Sequence, residues 1–139
     1  MLGYRIKNYT TQNGVKIDVD LAYKTYGCLN DTKDNAILIP TFFGGKHLDA
    51  EYMLAAGRAI NTKRHFVVIV NMLGNGLSSS PSNTSPPYDG KSFPLVTLYD
   101  NVICQHELVT QALGIKELKL VTGFSMGAPQ AFQWGALFP

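Results

Sequence analysis

Three short apolar runs, AILIP (36–40), HFVVIV (65–70) and LKLVTGF (118–124), constrain this chain most. AILIP is a short, unbroken apolar run, as in a strand buried on both faces, and the other two are read as further buried strands. The stretches that follow them carry a helical period. LDAEYMLAAGRAI (48–60) has Asp49 and Glu51 where the positive end of a helix favours them. TLYDNVICQHELVTQALG (97–114) opens with Thr97 and Asp100 spaced as a capping box, with Asp in the usual Glu position. Val102, His106, Val109 and Leu113 then share one face, and Gly114 suits a C-terminal stop. MGAPQAFQWGALF (126–138) is the third predicted helix, with Pro129 in the first turn, where its missing N–H is not needed. Strand then helix, three times over, predicts an α/β fold with a parallel sheet and helices on both faces.

Upstream, YRIKNYTTQNGVKIDVDLAYKTYG alternates apolar and polar residues on both sides of Asn13-Gly14, which predicts an antiparallel hairpin with strands at 4–10 and 15–25. Between the second run and the second helix lies NMLGNGLSSSPSNTSPPYDGKSF (71–93), rich in Asn, Gly, Ser and Pro. Loops this long in compact domains are commonly functional or mobile. Ligands of parallel α/β sheets bind beyond the strand C-termini, so this loop is expected to line a substrate pocket. Deleting 78–87 is then expected to alter substrate preference rather than folding.

At 139 residues the chain amounts to about one domain. It is 45% hydrophobic and 16% charged, which excludes a disordered chain. The net charge of +2 comes from scattered Lys and Arg, so no nucleic-acid face or membrane-surface helix is indicated. No apolar stretch is long enough to span a bilayer, and MLGYRIKNYT lacks the apolar core and cleavage site of a secretory signal. Cys28 and Cys104 make no disulfide framework and are expected to be reduced thiols of a cytoplasmic protein. Histidines and cysteines show no metal-ligand spacing, and GFSMGA lacks the lysine of a phosphate loop.

The chemistry concentrates in LVTGFSMGAPQAFQWG (120–135). Gly123-Phe124-Ser125-Met126-Gly127 falls where the third strand becomes the third helix. A serine hydroxyl needs a base to take its proton, an acid to orient that base, and donors for the oxyanion. A sharp strand–helix turn strains the serine backbone and leaves no room for flanking side chains, hence Gly123 and Gly127. It would raise Ser125 above the sheet at a helix N-terminus, with the Met126 N–H as one oxyanion donor. The second donor is expected from PTFFGGKH (40–47), with the Phe43 N–H as first choice and Phe42 next to it.

With these blocks in order, the sequence resembles the α/β-hydrolase superfamily, in the branch related to homoserine O-acetyltransferase. The blocks are LAYKTYGCLN, DNAILIPTFFGGKH, FVVIVNMLGNGLSSSPSNT, FPLVTLYDNV and LGIKELKLVTGFSMGAPQAFQW, and they span most of the chain. The resemblance implies a Ser–Asp–His triad and an acyl-enzyme passed to water or an alcohol. Carried onto this chain, Ser125 is the nucleophile, and Met126 and Phe43 supply the oxyanion N–H groups. The acetyltransferases carry Gly-Gly-Ser-Met-Gly-Gly at the elbow and a Gly-Gly-Cys-type loop after the second parallel strand. This chain has GFSMGA and NMLGNGLSSSP and looks more like the hydrolase-like relatives that act on acyl esters.

In that superfamily the acid and the histidine follow the serine. Here His47, His65 and His106 all precede it, and Asp34, Asp49, Asp89 and Asp100 read as loop and helix-start residues. Residues 1–139 are therefore expected to form the N-terminal portion of a larger α/β-hydrolase domain, ending just after the elbow helix, with the Ser125 strand at or near a sheet edge. The expected function is hydrolysis of a small-molecule acyl ester through Ser125, without a cofactor. The missing acid and base would come from a complementary C-terminal chain or a homo-oligomer. The alternatives are a homoserine-type O-acetyltransferase with acetyl-CoA as co-substrate, or a catalytically inactive remnant serving as a binding module.

Overall fold

A computed structural model describes residues 1–54 and 57–139. The hairpin forms as the sequence predicts: β1 (Leu2–Thr10) and β2 (Lys16–Tyr26) pair antiparallel around Asn13-Gly14. Its register slips between Ile6 and Tyr9, where Asn8 takes a positive φ of 56°. The three apolar runs become β3 (Ala36–Pro40), β4 (Phe66–Val70) and β5 (Leu118–Val121). The sheet order is β1-β2-β4-β3-β5. β3 is parallel to both β4 and β5, and β2 joins β4 antiparallel. The sheet is therefore mixed, with a parallel part of three strands.

Strands β3 and β4 divide their side chains between two cores, as strands covered on both faces must. Ala36, Leu38, Val68 and Val70 pack with Val102, Cys104, Leu108 and Trp134 on one side. Ile37, Ile39, Val67 and Ile69 pack with Ala50 and Ile60 on the other. The first side is covered by α1 (Leu98–Glu107) and α2 (Gly127–Leu137).

The capping box is present: Asp100 N–H donates to Thr97 Oγ1 at 3.2 Å, and Thr97 N–H donates to Asp100 Oδ2 at 2.8 Å. Asp100 is fully buried, and its Oδ1 also accepts Tyr9 O–H and Gln12 N–H, each at 2.7 Å. One carboxylate thus ties α1 to the hairpin. Past Glu107 the helix widens into a π turn, Leu108–Ala112, with Leu113 N–H reaching the Leu108 carbonyl. Gly114, at φ 61°, ends it where the sequence placed the stop.

Three expectations are corrected. The stretch 48–60 is not one α-helix. His47–Leu54 is 3₁₀, and the part of that expectation on residues 55–56 lies outside the described residues. Local bonding accounts for the tighter turn: Lys46 N–H donates to Asp49 Oδ2 at 2.8 Å, and Glu51 is held by Lys24 and Tyr26 of β2. The third apolar run is also shorter and less covered than expected. β5 ends at Val121, and Lys119 and Leu120 are exposed; β5 is the terminal strand of the sheet, the edge position expected for the strand that leads to Ser125.

The third correction concerns the long loop. Ser78, Ser79 and Ser80 are buried, and two of their hydroxyls stand in for a neighbouring strand. Asp20 N–H donates to Ser79 Oγ at 2.8 Å and Ala22 N–H to Ser78 Oγ at 2.9 Å. Ser79 N–H returns a bond to the Asp20 carbonyl at 2.8 Å. Removing 78–87 would orphan these buried groups, so the segment is structural to β2.

Candidate active site

The turn between β5 and α2 is built from contacts that only glycine permits. A Cβ on Gly123 would lie 2.6–2.7 Å from the backbone of Gly127, and one on Gly127 would lie 2.6 Å from the Pro40 carbonyl oxygen. The elbow is thus pressed against its own helix start and against the end of β3. Ser125 sits at its apex with φ 47°, a left-handed conformation that costs a non-glycine residue about 1–3 kcal/mol. Gly127 N–H donates to the Phe124 carbonyl at 2.8 Å and Ala128 N–H to the Ser125 carbonyl at 3.0 Å, closing the turn. Ser125 is exposed, and among the described residues its hydroxyl makes no hydrogen bond.

The second component is the loop after β3. Gly45 N–H donates to the Phe42 carbonyl at 2.9 Å, and Gly44 takes φ 74°. A side chain on Gly45 would collide with the Phe42 ring. That ring meets Phe124 of the elbow edge-on, with centroids 5.5 Å apart, so the structure brings loop and elbow together. Phe43 projects outward, 78% exposed. Among the described residues, neither the Phe43 N–H nor the Met126 N–H donates to another group.

Buried amides fix this arrangement from below. Asn71 Oδ1 accepts His47 N–H at 3.0 Å, and Asn71 Nδ2 donates to the Ala22 carbonyl at 2.9 Å. Asn71 Nδ2 also lies 3.2 Å from His47 Nδ1. Asn75 Nδ2 donates to the Gly45 carbonyl at 3.2 Å. Gln130 Nε2 donates to the Thr41 carbonyl at 2.9 Å and to the Met126 carbonyl at 3.1 Å. Sequence reasoning passed over Asn71, Gln105 and Gln130. The signal for the glutamines was an uncharged amide among the apolar positions of an amphipathic helix, where a buried polar group requires partners.

The histidines and aspartates lie elsewhere. His47 is held by Asn71, and His65 lies just before β4. His106 stacks on Phe138 with centroids 3.8 Å apart, and burial lowers its pKa. Asp34 accepts bonds from Asn30 and Thr32, which hold its carboxyl below the usual range. Asp49 closes the Lys46 turn, Asp89 precedes the short 3₁₀ turn Gly90–Ser92, and Asp100 serves the cap. Among the described residues none of these groups bonds to Ser125. The thiols are separate too: Cys28 is exposed, while Cys104 is buried with its pKa pushed up by desolvation.

A strand–elbow–helix unit of this kind, set on a sheet of this order, defines a class. Residues 37–139 match the alpha/beta hydrolase fold family, and the chain belongs to it. It is 42% identical over 120 residues to an ethyl acetate hydrolase of Pseudomonas veronii, covering 86% of this chain and 34% of that protein. It is 40% identical over 134 residues to a homoserine O-acetyltransferase of Trichormus variabilis, covering 91% of this chain and 37% of that protein. Among solved structures it superposes on the acetyl esterase MekB with a TM-score of 0.94 at 38% identity, over 99% of this chain and 41% of that one. The chain spans about a third of the length of the curated relatives it matches.

Proposed function

We propose that this chain carries the nucleophile and the oxyanion-binding half of a serine acyl-ester hydrolase. The observation that supports this best is Ser125 itself: an exposed serine held at positive φ between two glycines that have no room for a side chain. Backbone strain of this kind persists only where the surroundings over-determine it, and it concentrates at functional sites. In the proposed reaction Ser125 Oγ attacks the ester carbonyl, and its proton passes to a base outside residues 1–139. The Phe43 and Met126 N–H groups stabilise the oxyanion, the alcohol leaves, and water releases the acid. The esterase relatives support water as the acceptor, as does the GFSMGA elbow. The homoserine O-acetyltransferase relatives keep transfer from acetyl-CoA to an alcohol as the second reading.

Intact mass before and after a fluorophosphonate probe tests the reading. With the acid and base supplied by the polypeptide beyond residues 1–139, one adduct that disappears in Ser125→Ala is expected; an unlabelled wild-type protein under those conditions overturns it. Acetyl-CoA hydrolysis with and without added homoserine separates the two acceptors.

A further inference from the structure

Gln130 is fully buried on α2, yet all its polar atoms are engaged. Its Nε2 spends both hydrogens on backbone carbonyls from two segments remote in sequence, Thr41 and Met126. Its Oε1 accepts Gln105 Nε2 at 2.7 Å, and Gln105 Oε1 accepts Trp134 Nε1 at 2.9 Å. This relay has a fixed direction. An indole N–H only donates, so Gln105 must turn its oxygen to Trp134 and its nitrogen to Gln130. Gln130 must then present its nitrogen to the two carbonyls. Neither amide can flip without leaving a buried donor facing a donor.

The two carbonyls flank the two groups that matter. The Thr41 carbonyl lies one peptide before the Phe43 N–H, and the Met126 carbonyl one peptide after the Met126 N–H. We propose that Gln130 is a positioning residue that sets the two oxyanion donors relative to each other, with Gln105 and Trp134 locking its orientation. This assignment rests on Ser125 being the nucleophile. Without the clamp, loop and elbow would still touch through Phe42 and Phe124 and through Gly127 against Pro40.

Two variants test the clamp. Gln130→Met keeps the volume and removes both donors. Gln105→Met removes both the donor to Gln130 Oε1 and the acceptor for Trp134, so nothing then locks the Gln130 amide in its orientation. Amide exchange by NMR is read at Gly45 and His47 on the loop, at Gly127 and Ala128 on the elbow, and at β3 and β4 as the reference. In both variants the loop and elbow amides are expected to exchange about tenfold faster or more while the reference strands hold. Fluorophosphonate labelling of Ser125 is expected to slow by about tenfold or more. Unchanged loop and elbow exchange overturns the proposal, as does acceleration shared equally by β3 and β4, or labelling at the wild-type rate. If wild-type Ser125 takes no label even with the acid and base supplied, the hydrolase reading is what fails, and the exchange pattern alone then decides whether Gln130 couples the two segments.

Discussion

Ser125 is held in a conformation it would not choose. Its φ of 47° suits glycine, and the contacts of Gly123 and Gly127 keep the turn from relaxing. Replacing Ser125 with glycine removes the left-handed penalty, so Ser125→Gly is expected to stabilise the fold by about 1 kcal/mol, a rise in Tm of roughly 3 °C, while abolishing fluorophosphonate labelling. Thermal melts of the two proteins check this; a lower Tm for the variant would mean that the turn is not strained at Ser125. The identity of the nucleophile candidate was legible in the sequence because its signal is local: two glycines, a strand before and a helix after. Gln130 was legible only as an amide on the apolar face of a helix; its role was not, because that depends on Thr41, 89 positions away, and on Gln105, which the Trp134 indole orients.

Elements read correctly where periodicity and capping agreed. The hairpin around Asn13-Gly14 and helix α1 after Thr97 formed close to where the sequence placed them. The misreadings arose where side chains override the local pattern. Glu51 is pulled toward Lys24 and Tyr26, and the serine run of the long loop folds onto β2, neither of which a window of sequence reveals.

The α1–α2 interface adds a pH response. His106 lies against Phe138 and Trp134, and burial lowers its pKa from the ordinary 6.5. The folded state therefore resists a proton that the unfolded chain accepts. Its contribution is fully present above about pH 6.5 and declines as the pH falls below that value. His106→Phe keeps an aromatic ring against Phe138 and removes the ionisable group. Urea unfolding from about pH 7 down to about pH 5 is expected to lose less stability in this variant than in wild type. Equal losses would show that His106 is not the group responsible.

At the scale of the whole molecule, the sheet stops at β5 beside a groove of about 760 Å³ lined by residues including His106, Leu118, Trp134 and Phe138. Leu120, on that last strand, is 43% exposed. An apolar terminal strand templates pairing with other chains, so residues 1–139 are expected to self-associate as concentration rises, and Leu120→Lys is expected to suppress this. Size exclusion with light scattering over a concentration series checks it; equal association by both proteins would place the contact elsewhere. The same region holds a convenience for experiment. Trp134 is the only tryptophan in the chain, and its indole proton is the first link of the amide relay that ends at the loop and the elbow. A single well-separated indole resonance is therefore a built-in reporter: its chemical shift should register whether the two segments around Ser125 are assembled, without any label placed at the serine itself.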